Sequence, residues 1–126
     1  MNKKIRLSDS EWVVMQKLWD DPPRTMMQLT RDLADKKGWA KTTVMTLLNR
    51  MQAKGAVRWE EGGRARLYYP AVTQEDLAAQ EARGFIDRVY RGSVGNMVNS
   101  LIEDRSLSKD DIDELYDILR RAEEKR

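Results

Sequence analysis

Between Trp39 and Gly55 the chain reads W-A-K-T-T-V-M-T-L-L-N-R-M-Q-A-K-G. Val44, Leu47, Leu48 and Met51 recur at i, i+3, i+4 and i+7, which predicts a helix with one buried stripe. The opposite face then carries Thr42, Thr46 and Asn49, with Met45 and Arg50 at its edges. No Asp or Glu occurs between Asp35 and Glu60. A solvated helix in a charged protein usually mixes Glu with Lys. One that offers Thr, Asn, Arg and Lys without a carboxylate suits a polyanion, and the major groove of DNA is the obvious one. Lys41 and Thr43, at the N-terminal end of this helix, favour phosphate, where the helix dipole also helps. Thr42, Thr46 and Asn49 are placed to read base edges or a thymine methyl, and Arg50 could serve either purpose.

The elements around this helix follow from caps and breakers. Ser8-Asp9-Ser10-Glu11 is a capping box that opens a helix near Asp9, with Trp12, Met15 and Trp19 on its core side, joined by Val14 and Leu18. Asp21-Pro22-Pro23 stops it. Thr25-Met26-Met27-Gln28 is a second capping box, and the helix behind it presents Met26, Leu29 and Leu33 before fraying at Lys37-Gly38. Gly55 stands where a C′ glycine ends the third helix. The second and third helices, joined by a short Gly-containing turn, form a helix-turn-helix. Val57-Arg58-Trp59 and Leu67-Tyr68-Tyr69 are strand formers flanking a turn at Glu60-Glu61-Gly62-Gly63-Arg64. Three helices and a hairpin make a winged helix, with Arg64 and Arg66 at or just after the wing tip, within reach of phosphates.

Three more helices follow Pro70. Thr73-Gln74-Glu75-Asp76 caps the first, striped by Ala78, Ala82, Phe85, Ile86 and Val89 and ended by Gly92. Ser93 caps a short one carrying Val94, Met97, Val98, Leu101 and Ile102 at helical spacing. Ser108-Lys109-Asp110-Asp111 caps the last, striped by Ile112, Leu115, Tyr116 and Leu119. Such a unit rarely buries enough apolar surface alone. Pairing with a second copy about a two-fold axis is the natural solution, and packing back on the winged helix as one monomeric domain is the alternative. The expected fold is therefore mainly α. An N-terminal winged helix-turn-helix at 1–72 binds DNA, and a three-helix region at 73–126 carries dimerisation. Phe85, Ile86, Val89, Val94, Met97, Val98, Leu101, Ile102, Leu115 and Leu119 are the expected dimer contacts.

Composition narrows the chemistry. The 126 residues contain neither cysteine nor histidine. This excludes disulfides, thiolate chemistry, His-based triads and most transition-metal sites. No cofactor, metal or catalytic residue is expected, and the chain does not read as an enzyme. Asp110, Asp111, Asp113 and Glu114 cluster in the first turn of a helix, where acids favour the macrodipole, and they lack the spacing and glycine of an EF-hand. The four tryptophans read as core rather than as stacking platforms. Residues 1–72 hold 14 Lys and Arg against 8 Asp and Glu, a balance of +6. Residues 73–126 hold 9 against 13, a balance of −4, which agrees with the net +2. A basic front and an acidic back suggest separate jobs, with the polyanion contact in front. With 35% charged residues, no apolar run of transmembrane length and no apolar stretch after the basic Met1–Arg6, the chain is expected in the cytoplasm.

The chain resembles the penicillinase-repressor family, the BlaI and MecI type. The matching strings are L-S-D-S-E-W-V-V-M at 7–15, K-K-G-W at 36–39, T-V-M-T-L-L-N-R-M at 43–51, K-G at 54–55 and G-R at 63–64. Y-Y-P at 68–70 and F-I-D-R-V-Y-R-G-S at 85–93 continue it. The resemblance implies a homodimeric transcriptional repressor acting on palindromic double-stranded operators, including those of β-lactamase genes. It places Lys41, Thr42, Thr43, Thr46 and Arg50 in or beside the operator groove. It also implies release through a membrane sensor-protease system, by cleavage between Asn and Phe in the dimerisation region. The matching position here is Ser100-Leu101, which departs from that dipeptide. A branch that senses copper through a C-terminal cysteine pair is excluded by the absence of cysteine. The competing reading is a winged-helix protein-interaction module without specific DNA binding.

Overall fold

A computed structural model describes residues 4–126, so Met1–Lys3 of the basic opening lie outside the described residues. The order is α1 (Asp9–Asp20), α2 (Met26–Lys37), α3 (Lys41–Ala53), β1 (Val57–Gly62), β2 (Ala65–Pro70), α4 (Gln74–Tyr90), α5 (Val94–Glu103) and α6 (Lys109–Glu124). The chain divides into two compact units, Met1–Glu81 and Ala82–Arg126. The division falls inside α4, whereas the sequence reading sets its boundary just past the hairpin, at residue 72.

In the first unit the caps form as the sequence requires. The Glu11 N–H donates to Ser8 Oγ at 3.2 Å and the Ser8 N–H donates to Glu11 Oε1 at 2.8 Å. Thr25 and Gln28 make the same reciprocal pair at the start of α2. α3 ends in a Schellman motif: Ala56 N–H donates to Met51 O, Gly55 N–H donates to Gln52 O, and Gly55 sits at φ 83°. Val14, Met15 and Leu18 of α1, Leu29 and Leu33 of α2, and Val44, Leu47, Leu48 and Met51 of α3 form one core with Ala56, Val57 and Tyr68.

Three expectations are corrected. Trp12 is half-buried and does not join the residues packed against the core, whereas Trp19, its ring centroid 5.8 Å away, does pack there as expected though it too is only half-buried; the position beside Val14 and Met15 that is sealed from solvent belongs to Glu11, 1% exposed. An indole at the rim of a small core is too large to be covered completely, and Trp19 directs its Nε1–H to the Val72 carbonyl at 3.0 Å. The hairpin turn is two residues, Gly63-Arg64, rather than five. Glu60 pairs with Leu67, Glu61 with Arg66 and Gly62 with Ala65, so cross-strand pairing overrides the weak strand propensity of Glu. A Cβ on Gly62 would lie 2.5 Å from Leu67 Cγ, which explains the glycine there. Gly63 supplies the positive φ of 84° that a two-residue turn demands. Finally, the inward stripe of α4 begins at Leu77, which is buried, while Ala78 is exposed. Arg24 adds a contact that the sequence reading lacks. Its backbone exchanges two hydrogen bonds with Tyr68, a one-residue third strand beside β2.

Glu11 joins distant parts of this unit. Its Oε1 accepts both from Ser8 N–H and, at 2.6 Å, from the ammonium of Lys54 at the end of α3. Burial pushes the Glu11 carboxyl up, but the hydrogen bonds from Lys54 and Ser8 outweigh it and hold the carboxyl below its ordinary value.

In the second unit, Ser93 caps α5 by accepting from Asn96 N–H, and Ser108 and Asp111 form a capping box on α6. The Asp111 carboxylate is thus used in a cap, accepting from Ser108 N–H at 3.1 Å. α5 ends in a Schellman motif whose left-handed residue is Arg105, φ 57°, rather than glycine. Phe85, Val89, Val94, Leu101, Ile102, Ile112, Tyr116, Ile118 and Leu119 are exposed. Met97, Val98 and Leu115 are half-buried, and Ile86 is buried.

Two measurements check these energetics. Lys54→Met strands a buried carboxylate and should cost about 1–3 kcal/mol in chemical denaturation near neutral pH. Because the Glu11 carboxyl is held low in the folded chain, the pair stabilises above the ordinary carboxylate value of 4.5 and fades as pH falls through the lowered one. The gap between wild type and Lys54→Met should therefore close on acidification below 4.5. Arg105→Gly should raise stability by about 1 kcal/mol, the cost of a left-handed non-glycine residue, read as a higher midpoint in thermal unfolding.

Candidate nucleic-acid interface

Burying Val44, Leu47, Leu48 and Met51 turns the other side of α3 outward. Lys41, Thr42, Thr43, Met45, Thr46, Asn49 and Arg50 are all exposed. Thr42, the Met45–Thr46 pair and Asn49 follow one another along this side of the helix about one turn apart. Thr46 Oγ1 lies 2.9 Å from the Thr42 carbonyl, to which its hydroxyl donates. The N-cap of α3 is Ala40, which offers no side-chain acceptor, and among the described residues its side chain makes no cap to the first-turn N–H groups. Such a helix start favours an anion.

The wing reaches the same region. Along the antiparallel ladder Trp59 faces Tyr68, and Arg66, two residues from Tyr68, shares their side of the sheet. Its guanidinium stacks on the Trp59 ring at 3.9 Å from the centroid. On the other side, Arg58 lies 4.2 Å over Tyr69 and is paired with Glu60 at 2.8 Å. Among the described residues Lys41, Arg50, Arg64 and Arg66 form no ion pair, whereas Arg24, Lys54 and Arg58 each hold a carboxylate. Stacking on Trp59 restrains Arg66 without neutralising it, so its charge stays available.

An open cleft of about 450 Å³ brings α3 and the wing together. Lys41 and Met45 line it from α3, Arg64, Ala65, Arg66 and Tyr68 from the hairpin, and Thr25, Met26 and Met27 from the start of α2. Four residues singled out from the sequence (Lys41, Met45, Arg64 and Arg66) thus share one concavity, with cations around an apolar floor. Thr42, Thr46 and Asn49 continue from it along α3. Thr43 and Arg50 are exposed but do not line it. The contribution of α2 is absent from the sequence reading. Its signal is Met27, an apolar residue one place off the Met26, Leu29, Leu33 stripe and exposed.

The penicillinase repressor family model matches residues 7–121. The chain is 30% identical over 118 residues to the methicillin resistance regulatory protein MecI of Staphylococcus aureus strain N315, covering 94% of this chain and 96% of MecI. It is 31% identical over 119 residues to the penicillinase repressor of Bacillus licheniformis, covering 94% and 93%. It is also similar to the solution structure of monomeric Bacillus licheniformis BlaI in complex with the blaP half-operator. There the TM-score is 0.53 at 29% identity, over 60% of this chain and 93% of that one. Along nearly its whole length, therefore, this chain belongs to the penicillinase repressor family.

Proposed function

We propose that this protein is a sequence-specific, homodimeric transcriptional repressor that binds palindromic double-stranded DNA. The observation that carries the reading is the meeting of α3 and the wing: an acid-free helix face and two wing arginines free of carboxylates border one cleft. Its similarity to operator-bound BlaI supports the same assignment. α3 enters the major groove. Thr42, Met45, Thr46 and Asn49 face the bases, while Lys41, Thr43, Arg64 and Arg66 neutralise phosphates, with Arg50 at the edge of the face. Residues 1–72 perform this contact. The protein acts by occupying DNA rather than by turning over a substrate.

Dimerisation belongs to residues 73–126. Phe85, Val89, Val94, Leu101, Ile102 and Leu119 are exposed, and a second copy would remove them from water, at about 25 cal/mol for each Å² of apolar surface newly covered. Met97, Val98 and Leu115 are half-buried and Ile86 is buried, so they have less left for a second copy to cover. A dimer places two copies of α3 on one face of the duplex, with half-site centres about 10 bp apart or near a multiple of that. Among the described residues no helix is long and apolar enough to cross a membrane; the repressor works in the cytoplasm. Its release comes from outside the chain, and a membrane sensor-protease system fits the family. Ser100 and Leu101 sit within α5, so cleavage at that bond requires local unwinding of the helix.

The DNA-reading assignment is tested by fluorescence anisotropy with promoter DNA of the gene's own locus and a scrambled competitor at two salt concentrations. Wild type should bind specifically and lose affinity steeply with salt. Asn49→Asp should abolish specific binding and leave dimerisation intact; a variant that binds like wild type removes α3 from the reading role. Leu119, 61% exposed, is dispensable to the isolated protomer. Leu119→Asp should convert dimer to monomer in sedimentation velocity and weaken operator binding, and a variant that stays dimeric overturns the dimer surface.

A further inference from the structure

The middle of the outward face of α3 carries no formal charge, with Arg50 at its far edge. Thr42, Met45, Thr46 and Asn49 occupy it, and the nearest cation at the helix start, Lys41, shares the cleft with the wing arginines. Apart from Arg50 at one edge, the face has no group for the commonest reading of guanine, in which Arg or Lys donates to O6 and N7.

Two neighbours on it have complementary limits. The Thr46 hydroxyl spends its single hydrogen on the Thr42 carbonyl, 2.9 Å away. Toward the groove it therefore presents only lone pairs and a methyl group, so it can accept from a base but not donate to one. Met45 is 43% exposed and has no polar hydrogen, and its thioether adapts to an apolar partner. An acceptor beside an apolar side chain matches what an A·T pair displays in the major groove. Adenine supplies the N6 amino donor and thymine supplies a methyl group. A G·C pair also offers one amino donor, cytosine N4, and either pair leaves two acceptors unmatched, so the discriminating group is the methyl: G·C gives Met45 none to cover.

We propose that Met45 is a specificity-determining residue that packs against the 5-methyl group of a thymine, with Thr46 accepting from the amino group of the paired adenine. The proposal rests on the DNA-reading assignment made above and names the base pair under the middle of α3. Covering one methyl group is worth about fourfold in affinity per half-site. Because Met45 is exposed in the free protein, changing it leaves the core untouched.

The experiment uses the full chain. Duplexes enriched by binding selection from a random library are resynthesised with each thymine replaced in turn by deoxyuridine, which lacks only the methyl group. Wild type should bind about fourfold more weakly when one particular thymine of a half-site is replaced. Met45→Ala should bind the thymine duplex more weakly by a similar factor and no longer distinguish it from the deoxyuridine duplex at that position. Equal binding to every deoxyuridine duplex overturns the proposal and leaves the DNA-reading assignment standing. So does a thymine preference that persists undiminished in Met45→Ala. A selection that enriches no sequence overturns both.

Discussion

An amphipathic helix can bury only one stripe, and that constraint sets how α3 is rotated. Val44, Leu47, Leu48 and Met51 are fully or almost fully buried, and losing any one would leave a cavity or a polar intrusion in a core of about a dozen residues. The helix therefore cannot roll to present a different face. What it shows to solvent is fixed by what it hides. Rotation alone leaves the helix free to slide along its axis, and that freedom is restricted at its far end. There the Lys54 ammonium meets a carboxylate sealed in the first turn of α1, and the same Glu11 oxygen closes the cap of that helix. A pair of this kind contributes less as raw stability than as position, since desolvating the charges offsets much of their attraction.

The wing is held by different means. Tyr68 is anchored in the core and exchanges backbone hydrogen bonds with Arg24, which ties β2 to the segment before α2. Beyond Tyr68 the hairpin leaves the core, and side-chain stacking supports the ribbon on both faces, from Arg66 outside Tyr68 and from the Arg58–Tyr69 pair on its inner side. Arg66 over Trp59 on one side and Arg58 over Tyr69 on the other keep a two-stranded ribbon in shape, though such a ribbon is marginal in isolation. Trp59 thus packs against the core and carries a cation as well.

Much of this was legible in the sequence because it depends on neighbours close in the chain. The capping boxes at Ser8, Thr25 and Ser108 follow from hydroxyl and acceptor three residues apart. The buried stripe and exposed face of α3 follow from its 3.6-residue period. The rest depends on partners that no local pattern names. Glu11 reads as a cap residue, and only the arrival of Lys54 from 43 positions away shows that its carboxylate can be buried. Arg24 reads as a loop residue until Tyr68 lies beside it. The turn looks five residues long by composition because Glu60 and Glu61 are poor strand formers, and their cross-strand partners decide otherwise. The cleft is likewise invisible in one dimension, since it assembles pieces of α2, α3 and β2.

The alternation that puts Arg66 on the same side of the sheet as Tyr68 has an evolutionary consequence. In a strand, side chains change face at every residue, so only parity matters. Moving the cation outward from its anchor by two residues keeps it facing the cleft, whereas a one-residue insertion between Tyr68 and Arg66 would turn it away. The spacing between Tyr68 and the cation can drift only by even steps while keeping the charge in place. Odd insertions are tolerable only if a bulge absorbs the extra residue. The parity of the spacing between Tyr68 and Arg66, rather than the length of the hairpin, is what holds the charge on the cleft side.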